Sequence, residues 1–182
     1  MKNTTDKTAV VIIPPNDTWG PIQSIREKHD RQIGRWMPHI TLIYPFFPKS
    51  AFGRAAKDLS PACNSLKPFD IEVARFDFFW HGKGYYTVWL AREPEEPLLD
   101  LQTALWPLVC ESHELERGIR HFRPHLSVGQ VRGTADMARL IEELQANWTP
   151  IRFRVDSVHF IWRNVPPDDA FRVGRSLPLQ IR

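Results

Sequence analysis

Paired cysteines, long apolar runs and a large charge of one sign are all missing from this chain. Its two cysteines, Cys63 and Cys110, form no C-x-x-C pair, and 182 residues with 42% hydrophobic content bury a core without covalent staples. Reduced thiols in a cytosolic setting are the better reading, with a disulfide left open. The apolar run Ala9 to Ile13 stops at two prolines and is too short for a signal-peptide core or a membrane span, so a soluble, cytoplasmic protein is expected. A formal net charge of +3 admits a phosphate-bearing ligand but lacks the charge density of a nucleic-acid coating protein. Metal-ligand spacing is missing as well. His29, His81, His113, His121 and His159 show no His-x-x-x-His or His-x-Glu pattern with a matching third ligand, so neither a metal nor another cofactor is expected. The acidic pairs Glu95-Glu96, Glu142-Glu143 and Asp168-Asp169 sit at helix starts or in loops, where adjacent carboxylates are solvated, and they are assigned no chemistry.

What the chain has is a repeated pentapeptide. Pro38-His39-Ile40-Thr41-Leu42 returns as Pro124-His125-Leu126-Ser127-Val128. In each, a histidine and a hydroxyl residue stand at i and i+2, so in a strand both polar groups project from one face while the aliphatics bury on the other. Chance produces one such pentapeptide in about one chain in a hundred of this composition, and two in about one in ten thousand. The prolines fix an extended approach and remove a donor at the strand start, which aims the histidine.

The pattern around the motifs repeats too. Thr8 to Ile13 reads as a buried strand. Asp17 or Thr18 then caps a helix running to about Asp30, with Trp19, Ile22 and Ile25 on one side. A strand follows over His39 to Phe46, then a helix over Ala51 to Leu66 interrupted near Pro61, and a hairpin of Phe69 to Trp80 with Tyr85 to Ala91 around His81-Gly82-Lys83-Gly84. The second half reads as a helix over Pro97 to Glu111, a strand over His125 to Val131, a helix capped by Thr134 and running through Trp148, and a hairpin of Ile151 to Trp162 with Phe171 to Leu179. Both halves read helix, histidine strand, helix, hairpin, which predicts duplication into two lobes, about 1–92 and 93–182. A pseudo-twofold arrangement brings equivalent strands to face each other across one central cleft, with His39 and His125 on opposite sides of a single bound group.

Two imidazoles with an unperturbed pKa near 6.5 supply one base and one acid near neutral pH. Placed on opposite sides of a phosphorus, one takes a proton from attacking water and the other protonates the departing sugar oxygen, as in-line opening of a cyclic phosphate requires. The Thr41 and Ser127 hydroxyls donate to non-bridging phosphoryl oxygens, and the scheme needs no metal.

These two His-x-Ser/Thr-x tetrapeptides, His39-Ile40-Thr41-Leu42 and His125-Leu126-Ser127-Val128, resemble the signature of the two-histidine (2H) phosphoesterases, which include 2′-5′ RNA ligase-like proteins and cyclic nucleotide phosphodiesterases. The resemblance covers nearly the whole chain. It implies a bilobal α+β fold with antiparallel sheets lining the cleft and helices outside, an acid and base pair in His39 and His125, and a phosphate clamp in Thr41 and Ser127. It further implies a nucleotide or RNA terminus as substrate, opened as a 2′,3′-cyclic phosphate to a 2′-phosphate by a monomer. The rivals are a 2′-5′ RNA ligase or 2′-5′ phosphodiesterase, and a non-catalytic AMP or nucleotide sensor. In similar proteins cleft aromatics hold the base, and Trp80, Tyr86 and Phe122 are the candidates here. Bacterial RNA ligase-like members often follow the second motif with an arginine, whereas Ser127 is followed here by Val128-Gly129-Gln130. The cation is then expected from Arg123, which alternates with His125, or from Arg120, Arg35 or Lys83, and His121 can approach from the same loop as Arg120.

Overall fold

A computed structural model describes residues 4–109 and 122–180. Strand β1 (Thr8–Ile12) is buried at every position, which suits its β-branched run, and a 3₁₀ turn over Asn16–Thr18 leads into helix α1 (Trp19–His29). Strand β2 (Ile40–Ile43) stops well short of Phe46, because Pro45 has no N–H to give a ladder. Helix α2 (Phe52–Asn64) is continuous through Pro61, against the expected interruption. The Pro61 ring lies on the exposed side, the carbonyl it orphans belongs to exposed Lys57, and the fully buried Leu59 and Cys63 on the other side offset the lost bond.

Strands β3 (Phe69–Trp80) and β4 (Tyr85–Glu93) form the expected hairpin, closed by Gly82, Lys83 and Gly84, all with positive φ. Helix α3 (Glu96–Leu105) ends in a 3₁₀ turn at Trp106–Leu108, earlier than the expected helix to Glu111, whose last two residues lie outside the described residues. After β5 (Leu126–Arg132), helix α4 (Thr134–Ala146) is capped by Gly133, not Thr134. The Thr134 hydroxyl is engaged elsewhere, 2.8 Å from the Tyr86 hydroxyl. The long strand expected over Ile151 to Trp162 is two strands, β6 (Ile151–Val155) and β7 (Ser157–Trp162), parted at Asp156 and belonging to different sheets. Strand β8 (Arg172–Pro178) closes the second hairpin.

The architecture is α+β and bilobal, with two antiparallel four-stranded sheets ordered β2-β1-β7-β8 and β5-β4-β3-β6. Each sheet takes two strands from before residue 94 and two from after it, so each hairpin is given to the sheet that holds the other motif. The sheets correspond strand for strand. A motif strand, β2 or β5, forms one edge, with β1 or β4 beside it, and the two motif edges approach each other. Helix α1 packs on β5, α2 on β7 and β8, and α4 on β3, β4 and β5. One main apolar core, including Ile40, Leu42, Leu126 and Val128, runs beneath both motifs. Among the described residues no helix is long and apolar enough to cross a membrane.

Candidate active site

Both histidines stand at the same place: one residue before a motif strand, one residue after a buried proline. Ile40 and Leu126, each fully buried, anchor the strand just beyond, and the alternation turns His39 with Thr41, and His125 with Ser127, to the other face. The backbone then repeats one further detail. His39 Nδ1 lies 2.7 Å from the Met37 carbonyl oxygen, and His125 Nδ1 lies 2.7 Å from the Arg123 carbonyl oxygen. A carbonyl only accepts, so in both rings Nδ1 carries the proton and donates it, and Nε2 is left as the nitrogen able to exchange a proton. The Thr41 and Ser127 hydroxyls are half-buried and have no hydrogen-bond partner among the described residues.

The ring environments differ. His39 stacks on Trp36, with centroids 4.6 Å apart and planes at 14°, and Trp36 in turn stacks on Phe171 at 3.8 Å. Burial lowers the His39 pKa to about 4, with the positive charges of Arg26 and His125 acting in the same direction, while its hydrogen bond to Met37 and the Asp30 carboxylate act against it. His125 is thus among the charges felt by His39, in keeping with the approach of the two motif strands. His125 meets Phe79 edge-on at 4.7 Å and Trp89 at 5.9 Å. Its pKa is also lowered, by burial first and by Arg92, while the bond to Arg123 opposes the shift. With both pKa values below the ordinary 6.5, both rings are mainly neutral at pH 7.

Strand register sorts the remaining candidates. Ser127 pairs with Trp89, and Trp89 with Asp77, so Phe79, Thr87 and Trp89 share the face of His125 and Ser127. Trp80 pairs with Tyr86, and that pair belongs to the opposite face, toward α4. Tyr86 is 8% exposed there and bonded to Thr134, while Trp80 at the hairpin end is 68% exposed. The structure does not bring these two to the histidines. Arg123 and Phe122 precede β5, and they line a cavity of about 1010 Å³ with Trp89 and Arg92. That cavity adjoins His125 through the Trp89 ring and is lined by neither histidine. Arg35 is committed to Asp169 at 2.7 Å. Arg120, His113, His121 and Cys110 lie outside the described residues. No cluster of three metal-ligating side chains occurs among the described residues.

Four aromatic and polar residues at the site escape a reading of the motifs alone: Trp36, Phe79, Trp89 and Arg26. Trp36 sits three positions before His39, and Arg26 is the i−4 partner of Asp30, a spacing visible in sequence. Phe79 and Trp89 reach the site only through the β3–β4–β5 register, which has a shift between Val88 and Trp89.

Residues 14–167 match the 2′-5′ RNA ligase superfamily. The chain is 26% identical over 159 residues, 86% of its length and 88% of the relative's, to a protein of Geobacillus kaustophilus provisionally named a phosphoesterase. Among solved structures it resembles TT0787 of Thermus thermophilus, with a TM-score of 0.64 at 16% identity over 97% of this chain and 99% of that one. It also resembles LigT of E. coli in complex with phosphate, with a TM-score of 0.58 at 16% identity over 98% and 99% of the two chains. At these identities the structural likeness speaks for the fold.

Proposed function

The chain belongs to the 2′-5′ RNA ligase superfamily of two-histidine phosphoesterases, and we propose that it opens the 2′,3′-cyclic phosphate of a nucleotide or RNA end by metal-independent hydrolysis to a 2′-phosphate. The observation that carries this reading is the matched pair of Nδ1 bonds, which present two Nε2 atoms of the same tautomer from two strands that approach each other. Structures of E. coli LigT hold phosphate and 3′-AMP, which supports a nucleoside phosphate as ligand of this fold, with the phosphate of 3′-AMP on the oxygen opposite to that of the product proposed here.

In this scheme His39, whose pKa is lowered to about 4, is the base. Its Nε2 takes a proton from water as the water oxygen bonds to phosphorus. The P–O3′ bond breaks on the far side, and His125 gives its Nε2 proton to the departing 3′-oxygen. For His125 to carry that proton, the substrate anion must raise its pKa, as a negative charge beside an imidazole does. Thr41 and Ser127, whose hydroxyls have no hydrogen-bond partner among the described residues, donate to the non-bridging oxygens as charge gathers there. Arg123 and Phe122 contact the nucleoside from the adjoining cavity.

The test is hydrolysis of the four 2′,3′-cyclic nucleotides in EDTA by wild type, His39→Gln and His125→Gln, with identification of the product isomer. Each variant should lose about 10²- to 10⁴-fold in kcat. A folded wild type without turnover on these substrates sinks the cyclic phosphodiesterase reading. It directs attention to 2′-5′-linked oligonucleotides, and saturable nucleotide binding without any turnover would make the protein a sensor.

A further inference from the structure

Helix α1 and the loop that follows it are held by a polar cluster, centred on the buried Arg26 and Asp30, that also reaches the second motif strand. Arg26 is 2% exposed and donates three ways: Nε to Asp30 Oδ2 at 2.8 Å, Nη1 to Gln23 Oε1 at 2.8 Å, and Nη2 to the Trp36 carbonyl at 2.7 Å. Asp30 Oδ1 accepts from the Gln32 N–H at 2.9 Å and from Gln130 Nε2 at 3.0 Å. Gln130 Oε1 accepts from the Arg31 N–H at 3.0 Å. The Trp36 N–H returns to the Gln32 carbonyl at 3.0 Å. Gln130 is on β5, five positions after His125, whereas every other member of the cluster lies on α1 or on the loop leading to β2.

We propose that Gln130 is a positioning residue that sets His39 relative to His125, acting through Asp30, Arg26 and Trp36. A buried Arg and Asp pair offers little net stability over apolar residues of the same volume, yet it is directional, and it fixes geometry when every donor has an assigned acceptor. Here the pair grips the carbonyl of the residue whose ring stacks on His39. Gln130 ties that grip to the strand bearing His125 and Ser127, with both ends of its amide used. Among the described residues Gln130 makes the hydrogen bonds that join β5 to the α1–β2 loop, whereas the close approach of Gly129 to His29 at the end of α1 is a packing contact, which resists sliding less than directed bonds do. Burial, opposed by the Met37 bond, dominates the proton affinity of His39, and the charges of Arg26 and His125, which lower its pKa, and of Asp30, which raises it, act in addition, so the same cluster contributes to it.

The catalytic consequence rests on the two-histidine reading above, and the placement of the ring does not. The experiment therefore reads both. In protein carrying ¹⁵N-labelled histidine, the His39 Nδ1 and Nε2 signals, assigned with His39→Gln, are followed across pH for wild type, Gln130→Met and Gln130→Glu, beside kcat and KM on 2′,3′-cyclic nucleotides. Gln130→Met keeps the volume and loses both bonds. It should move the His39 signals and titration midpoint, leave those of His159 in place, and lower kcat about tenfold or more with KM within about twofold. Gln130→Glu keeps the acceptor for Arg31 and sets a second carboxylate beside Asp30, and should raise the His39 midpoint. It serves the same purpose where the Met variant does not fold. Wild-type His39 signals and midpoint in a folded variant overturn the proposal. Absence of turnover in wild type removes the activity reading alone, because the His39 signals still decide for or against Gln130.

Discussion

Trp36 lies against His39 in a near-parallel stack, and its carbonyl is at the same time gripped by Arg26, so one residue both covers the imidazole and is itself held from behind. Burial is the largest influence on His39, lowering its pKa to about 4, and the indole supplies part of that burial. Trp36→Ala should open the ring to water and move its pKa up from about 4 toward 6.5. In the proposed mechanism His39 acts unprotonated, so the acidic limb of the kcat/KM profile should move upward with it. An acidic limb that stays in place in a folded Trp36→Ala would mean that the stack does not set the base.

Thr41 and Ser127 offer a separate test, because neither hydroxyl is used by the protein itself among the described residues. Thr41→Val and Ser127→Ala therefore leave no orphaned partner behind among the described residues, and stability should stay within about 1 kcal/mol of wild type. Donors aimed at developing phosphoryl charge are worth far more in the transition state than in the ground state, so kcat should fall about 10²- to 10³-fold. Steady-state kinetics beside thermal unfolding separate the two effects. Normal turnover in both variants would remove the phosphate-clamp role.

The motifs were legible because a period of two fixes which side chains share a face before any tertiary contact is known. His39 with Thr41, and His125 with Ser127, are one strand's local geometry twice over. The aromatic wall was not legible for the opposite reason. Whether Trp89 or Tyr86 faces His125 depends on how β4 aligns with β5, and the register shift between Val88 and Trp89 is a property of the pair of strands. The break at Asp156 is similar: Ile151 to Trp162 alternates well enough for one strand, and only the closing of two sheets around a shared core parts it. Pro61 shows burial overriding propensity, since Leu59 and Cys63 hold the helix through it. The exchange of hairpins between sheets left no mark on either half, because each hairpin has the same pattern whichever motif strand it joins.

Stability should fall on the acid side. His39, His125 and His159 all have folded-state pKa values lowered mainly by burial, His39 to about 4. Below pH 6.5 the unfolded chain takes up protons that the folded chain refuses, so this contribution is fully present above pH 6.5 and is lost as pH falls through the folded values. For His39 alone the loss between pH 7 and 4 is of the order of 2 to 3 kcal/mol. Urea unfolding at pH 7.0 and 4.5 should show the decline, and His39→Gln should flatten part of it. An equal decline in wild type and variant would place the acid sensitivity elsewhere.

Two glycines make a paired test of how the second motif strand is seated. A Cβ on Gly129 would stand 2.6 Å from His29 Cβ and 3.1 Å from the His29 carbonyl oxygen, both at the end of α1, where a helix cannot yield without moving the loop that carries Trp36. A Cβ on Gly53 near the start of α2 meets nothing within 4 Å, and its φ is ordinary. Gly129→Ala should therefore cost about 1 to 3 kcal/mol as overpacking, about 3 to 10 °C in Tm for a chain of this size. Gly53→Ala should gain about 0.5 to 1 kcal/mol from a better helix former and a less mobile unfolded chain. The kinetics should divide in the same way. Gly53→Ala should leave kcat unchanged, whereas Gly129→Ala forces α1 away from β5 between Ser127 and Gln130 and should lower kcat even at temperatures where it is fully folded. Full activity in a folded Gly129→Ala would show that the seat of α1 on β5 is a matter of stability alone.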